Sequence, residues 1–175
     1  MRKSLPFTAL AFLASVASVA GSLYLTHVLD LIACPLCLYQ RTFAFAAFGI
    51  LLLGLLTKAR GTGYVNLLAL FPTVAGGAIA GWHVYLEAAG KLKCPMGIYE
   101  IGTTPQQSLA SFILIATGLG LGLLSDIRSK ATSGVSAAIS TLLGVVMAWA
   151  CVTSAPPPSQ PKPEIAPRIC HPPSS

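Results

Sequence analysis

Charge is what this sequence has least of. Lys and Arg number 11 and Asp and Glu 5, so charged residues make up only 9% of the 175. A soluble domain carries about 25%, so an ordinary hydrated surface cannot be built, and a soluble globular monomer is excluded. Disorder over most of the chain is excluded as well, because 54% of the residues are hydrophobic and such a chain collapses. Basic clusters are also missing. The formal charge of +6 comes from Lys and Arg scattered singly between apolar runs, which does not make a nucleic-acid surface. A second C-x-x-C is absent too, and a zinc ribbon needs two.

What the chain has instead is long apolar stretches, and a helix needs about 20 such residues to cross a bilayer. Five qualify: roughly Pro6 to Leu31, Leu38 to Thr57, Tyr64 to Ala88, Ser108 to Leu124 and Ser133 to Thr153. The sequence therefore predicts an all-α membrane protein. Arg2 and Lys3 before the first stretch have the look of a signal peptide, but the apolar run exceeds the usual 7 to 15 residues. It is read as a retained span. The Gly118, Gly120 and Gly122 run in the fourth reads as helix-packing surface. After the fifth comes a tail with eight prolines between Pro156 and Pro173, expected to be extended and polyproline-like.

Basic residues in short loops set the orientation. Arg2, Lys3, Lys58, Arg60, Arg128 and Lys130 fall on one side, which is expected to be cytoplasmic. Arg41, Lys91, Lys93, Lys162 and Arg168 fall on the other. The amino terminus is then inside and the tail outside, facing the periplasm if this is a bacterial inner membrane.

The five cysteines can now be placed on that topology, which was drawn without them. Cys34 and Cys37 fall in the first outer loop, Cys94 in the second, Cys151 at the outer end of the fifth span and Cys170 in the tail. None falls on the cytoplasmic side. The outer face is the oxidising one, so these thiols are expected to pair, with at least one left over. Cys34-Pro35-Leu36-Cys37 closes a small ring, and the first thiol of such a motif commonly has a lowered pKa. Arg41 follows Cys37 by one helical turn, on the same face. A cation there can stabilise a thiolate or an anionic cofactor; the plainer reading is a snorkelling interfacial arginine.

Rival readings exist for each group. Cys34, Cys37, Cys94 and His83 would make a Cys3His zinc set, against which the oxidising side counts. A static structural disulfide is another. His83 and Glu87, four apart in the third span, are either packing residues or functional ones. Cys151 beside Trp149 reads as a buried apolar thiol.

Cys34-Pro-Leu-Cys37-Leu-Tyr-Gln-Arg41 resembles the C-x-x-C-x-Y-x-R of the disulfide-bond-formation protein B (DsbB) family. Gly81-Trp82-His83-Val84-Tyr85-Leu86 resembles that family's third span, and Ile101-Gly102-Thr103-Thr104-Pro105 with Ser108, Leu109 and Phe112 the start of its fourth. The likeness covers about residues 5 to 125. It implies a DsbB-type four-helix membrane bundle over 1–125. A further transmembrane helix over 126–153 and a Pro-rich outer tail over 154–175 are not matched by the family's core.

The resemblance implies an enzyme, a quinone-reducing protein-disulfide oxidoreductase. It would pass electrons from a periplasmic DsbA-like partner through a loop disulfide and the Cys34–Cys37 pair to ubiquinone or menaquinone. Arg41 and His83 match residues beside the quinone. The family's outer loop carries two cysteines, whereas here it is short and holds only Cys94, which looks like the second of them. We read Cys170 as the replacement for the first; a polyproline-like tail covers roughly 59 Å over the 19 residues from Cys151. Cys94 with Cys151 is the alternative, as is a Cys170 that bonds another protein. The expected catalytic cysteines are thus Cys34, Cys37, Cys94 and Cys170, with no metal. The competing function is a noncatalytic DsbB-like subunit of a larger membrane complex, held through the fifth helix or the tail. Either direction of electron flow fits the outer placement of the cysteines.

Overall fold

The computed structural model describes residues 5–56, 62–128, 134–155 and 170–173. Five α-helices account for most of them: α1 Leu5–His27, α2 Pro35–Leu56, α3 Thr62–Ala88, α4 Thr104–Arg128 and α5 Gly134–Ser154. All five are long and apolar enough to cross a membrane. The shortest has 21 residues, about 32 Å at 1.5 Å per residue, which matches a hydrocarbon core of about 30 Å.

Helices α1 to α4 form a closed ring, each packed on the next and α4 back on α1, and α5 lies outside the ring on α3. The seams set alanines against larger apolar residues. Ala11, Leu51, Ala69, Ile115 and Leu119 form one buried cluster, and Ala44, Ala80 and Phe112 a second. Small side chains let helix backbones approach in an environment where burial alone gives no driving force. A Cβ on Gly118 would stand 2.9 Å from the Ala11 backbone nitrogen, so the α1–α4 seam has no room for one. Gly122 meets Asn66 and Phe7 in the same way, whereas Gly120 faces open space. The predicted glycine surface is therefore two positions rather than three. On the outer side, Gly144 of α5 lies against Phe71 and Val74 of α3, and the Ser140 hydroxyl donates to the Leu67 carbonyl at 3.0 Å. Leu53, Leu68, Leu142 and Trp149 point away from the protein, as lipid-facing residues do.

Three helices end or begin well away from the limits of their apolar stretches. The first helix stops at His27, four residues short of the apolar run. There Asp30 adopts a left-handed φ of 57°, and the Leu31 N–H turns back to the Leu25 carbonyl at 3.0 Å. The second begins at Pro35, which places Cys37 in its first turn and not in the loop. The fourth runs from Thr104 to Arg128, beyond the Ser108–Leu124 core, because backbone hydrogen bonding continues through polar residues that hydropathy discounts. Its start is fixed by Pro105 in the first turn and by the Gln106 side chain, which accepts from the Thr103 N–H at 3.3 Å as in a capping box.

Residues 156–169 of the expected polyproline tail lie outside the described residues. So do Arg2, Lys3, Lys58, Arg60, Lys130, Lys162 and Arg168, and with them most of the charges on which the orientation rests.

Candidate functional site

Four of the five cysteines meet at one end of the bundle, where α2 and α4 begin and α3 and α5 end. The start of α2 is built around the C-x-x-C. Cys34 precedes the helix, Pro35 occupies the first helical position, where no N–H is needed, and the Cys34 sulfur accepts the Cys37 backbone N–H at 3.2 Å. Cys34 thus caps α2 with its own thiol, as a serine would. The Cys34 and Cys37 sulfurs lie 2.7 Å apart. In the dithiol state the Cys37 thiol donates to Cys34 and holds its pKa down at about 5, from 9.0, against the opposing effect of burial and with help from His83. Aligned peptide dipoles at the start of α2 favour a negative sulfur there as well.

Cys94 is carried by the loop between α3 and α4. That loop is tied into a compact unit: Met96 pairs with Thr103, and the Gly97 N–H donates to the Gly102 carbonyl at 2.9 Å. The Gln107 amide bonds the Ile98 N–H, the Ile98 carbonyl and the Ile101 carbonyl. Against its edge lies the tail. Lys93 and His171 exchange backbone hydrogen bonds of 2.8 and 3.1 Å, as in one rung of an antiparallel ladder. The next rung is the non-hydrogen-bonded kind, at which Cα atoms come closest. Cys94 and Cys170 occupy it, with Cα atoms 4.2 Å apart and their sulfurs joined in a disulfide. Of the pairings the sequence left open, this is the one formed; Cys151 is free and half-buried.

The two pairs touch. The sulfurs of Cys34, Cys37 and Cys170 and Nε2 of His83 all lie within 4.8 Å of one another. His83 is fully buried. Its Nε2 lies 4.0 Å from the Cys34 sulfur and 3.5 Å from that of Cys94. Its Nδ1 is 3.1 Å from the Gln40 side-chain amide, which fixes the ring's orientation. Glu87, one turn further on, instead accepts the Thr103 hydroxyl at 2.7 Å.

A cavity of about 180 Å³ opens beside the cluster, bordered by Cys37, Gln40, Arg41, Ser22, Leu25 and Cys170 among others. An apolar cavity of about 150 Å³ holds a benzene ring, so a single ring fits. Arg41 enters it from α2. Its Nη2 donates to the Thr26 hydroxyl at 2.6 Å and the Ser22 carbonyl at 3.3 Å, whereas Nε is buried with no partner among the described residues. Arg41 is therefore anchored on α1 and is not a freely snorkelling side chain. His83, expected with Arg41 beside a quinone, is not among the described residues bordering this cavity; its Nε2 faces the sulfurs of Cys34 and Cys94. A second cavity, about 260 Å³, lies on the other side and is bordered by Cys34, Trp82, Leu86, Lys91 and Cys170. Gln40, Ser22 and Thr26 were not singled out from sequence. Gln40 carried a weak signal, three residues past Cys37 on the same helix face; Ser22 and Thr26 had none.

A bundle of helices long and apolar enough to cross a membrane, with two cysteine pairs and an anchored arginine gathered at one end, suits a membrane protein of disulfide chemistry. The comparisons with known proteins agree. A sequence model of the family described as "Disulfide bond formation protein DsbB" matches residues 4–153, and the chain belongs to that family. The match runs through α5, further than the likeness to residue 125 read from the motifs. Disulfide bond formation protein B of Herminiimonas arsenicoxydans is 36% identical over 122 residues, covering 68% of this chain and 77% of that protein. Disulfide bond formation protein B 1 of Pseudomonas aeruginosa is 35% identical over 115 residues, 62% of this chain and 70% of that protein. The Cupriavidus metallidurans protein of the same name is 32% identical over 108 residues, 60% and 66% respectively. No solved structure matches the chain. The protein is thus a multi-pass membrane protein of the disulfide-formation family.

Proposed function

We propose that this protein is a quinone-dependent thiol–disulfide oxidoreductase of the bacterial inner membrane that reoxidises a DsbA-like periplasmic dithiol. The amino terminus is then cytoplasmic and the cysteine end periplasmic. The observation that carries the reading is the contact between the two cysteine pairs, with the Cys170 sulfur within 4.8 Å of both Cys34 and Cys37.

The relay balances as two successive disulfide exchanges. A thiolate of the reduced partner attacks the Cys94–Cys170 disulfide, and the partner's second thiol resolves the mixed disulfide. The partner leaves oxidised, and Cys94 and Cys170 are left as thiols. One of these, as thiolate, attacks the Cys34–Cys37 disulfide, and closure of Cys94–Cys170 then leaves Cys34 and Cys37 as the dithiol. Exchange of this kind needs a thiolate, an accessible sulfur and a good leaving group, and a Cys34 with a pKa of about 5 leaves readily.

The residues beside the 180 Å³ cavity suit a quinone ring, which is apolar with polar oxygens: Leu25, Leu31, Ile32 and Ile98 alternate with Ser22 and Gln40, Cys37 borders it, and Arg41 has a buried unpartnered Nε. A bound quinone supplies there an acceptor for the two electrons and two protons released when the Cys34–Cys37 dithiol closes. Arg41, which borders this cavity, would supply positive charge to an electron acceptor held there. Gln40 borders the same cavity while orienting His83.

Anaerobic stopped-flow with quinone-loaded micelles and a reduced thioredoxin-like donor tests this. Quinone reduction that disappears in Cys37→Ser is the expected result. Absence of quinone reduction with every donor overturns it and favours the noncatalytic-subunit reading.

A further inference from the structure

The same cluster has a second chemistry when its disulfides are open. Oxidised, the sulfurs are held in two bonds and offer little to a cation. Reduced, three thiols and an imidazole converge on one buried point. Cys34 is 8% exposed, Cys170 5% and His83 0%. Four donors with all separations inside 4.8 Å are close to what a tetrahedral ion requires. Bonds of about 2.3 Å to sulfur and about 2.0 Å to nitrogen put neighbouring donors roughly 3.5–3.8 Å apart. The Cys34 and Cys37 sulfurs, 2.7 Å apart, need to open by about 1 Å, and Cys170 must leave Cys94.

The imidazole is already set for the role. Its Nε2 faces the sulfurs, and its Nδ1 is held by Gln40 at 3.1 Å. Which amide atom of Gln40 faces the ring is a matter of assignment, and with oxygen turned inward it accepts Nδ1–H. A ligating histidine nearly always has such a partner on its other nitrogen, which fixes the tautomer and raises its basicity. Gln40 therefore sits where a metal site needs it.

We propose that the fully reduced protein binds one thiophilic divalent cation, Zn2+ by its chemistry, through Cys34, Cys37, Cys170 and His83, and that the bound ion holds the relay in its reduced state. Formation balances without electron transfer to the metal. Two dithiol donors reduce the two disulfides, delivering four electrons and four protons. The ion then displaces the protons of Cys34, Cys37 and Cys170, and Cys94 keeps its own. Ligated sulfurs neither attack nor close a disulfide, so turnover stops until the ion is removed.

The relay reading enters only in the inhibition; the site itself needs no more than open disulfides. The test therefore reads metal uptake. Full-length protein in detergent is reduced anaerobically with a phosphine, freed of reductant and titrated with Co2+, then with Zn2+ in competition. The expected result is one Co2+ per chain with the intense visible bands of a tetrahedral site and thiolate-to-cobalt charge transfer, displaced by Zn2+. His83→Gln and the double variant Cys94→Ser/Cys170→Ser should each weaken uptake by at least about tenfold, and Gln40→Leu by about 10–100-fold. Cys151→Ser should leave it unchanged. Should a variant fail to fold, the oxidised parent is the control, since the same donors are then covalently paired and uptake should vanish. Equal uptake by oxidised and reduced protein, an octahedral spectrum, or uptake indifferent to His83→Gln overturns the proposal. None of these outcomes bears on quinone reduction.

Discussion

Cys94 and Cys170 are bonded across 76 residues of sequence, one from the loop between α3 and α4 and the other from the tail after α5. The rung that brings them together, Lys93 with His171, belongs to no larger sheet. A loop cysteine without a loop partner has found one at the far end of the chain. The family resemblance calls for two cysteines in the outer loop; here the second disulfide spans two segments. If that bond accepts electrons from the soluble partner, its two cysteines act as one unit.

Cys94→Ser and Cys170→Ser should therefore reduce oxidation of a protein dithiol to the same extent, on the order of 10²-fold or more, and the double variant should be no worse than either. Non-additivity of this kind marks residues that act as a unit. Reoxidation of Cys34–Cys37 after reduction by a small dithiol should survive in all three. A double variant whose loss is the product of the single losses would show the cysteines acting separately.

A chain ending at Ala155 should behave as Cys170→Ser does, because the tail's described contact with the bundle is the rung and disulfide at 170–171. Its α-helices should remain folded, which circular dichroism reads. Truncation that leaves protein-dithiol oxidation at the parental rate would remove the tail from the electron path.

Much of this was legible in the sequence, and the boundary is instructive. Five apolar stretches announced five helices, since crossing a bilayer leaves few alternatives. Cysteines confined to one side announced where the chemistry lies. Helix ends were less visible: Cys37 falls inside α2 because Cys34 and Pro35 supply a cap that hydropathy does not register. Contacts across the bundle were not visible at all. Gln40 meets His83 across 43 residues, and Thr26 meets Arg41 across 15, which no spacing rule reaches. The seat of α5 on α3 depends on Gly144, one small residue among many in this sequence.

That seat can be tested directly. Gly144→Leu places a branched side chain where a single Cβ already comes within 2.8 Å of the Phe71 carbonyl oxygen and 2.9 Å of Val74. Overpacking of this kind typically destabilises by about 1–3 kcal/mol. The α3–α5 contact should loosen, lowering the thermal midpoint in detergent. Cysteines introduced at Leu67 and Ser140, whose backbone and side chain are hydrogen-bonded in the parent, should then crosslink less completely. An unchanged midpoint with full crosslinking would mean that the α3–α5 seat does not depend on Gly144.

Arg41 gives the sharpest test of the cavity. Its guanidinium is held by Thr26 and Ser22 of α1 and keeps a buried Nε unpartnered. A hydrogen bond to a charged group contributes about 1.5–3 kcal/mol, so Arg41→Gln should lower kcat/KM for quinone by roughly 10–100-fold. Lysine restores the charge but not the planar fork, and Arg41→Lys should recover only part of that loss. Thr26→Val removes one anchor while leaving the charge, so it should raise KM more than it lowers kcat. Exchange between the partner and Cys94–Cys170, followed by quench and alkylation without quinone, should be unaffected in all three variants, because the described hydrogen bonds of Arg41 go to Ser22 and Thr26 and not to that disulfide. A defect in that half-reaction would place Arg41 in the thiol relay and leave the cavity without its cation.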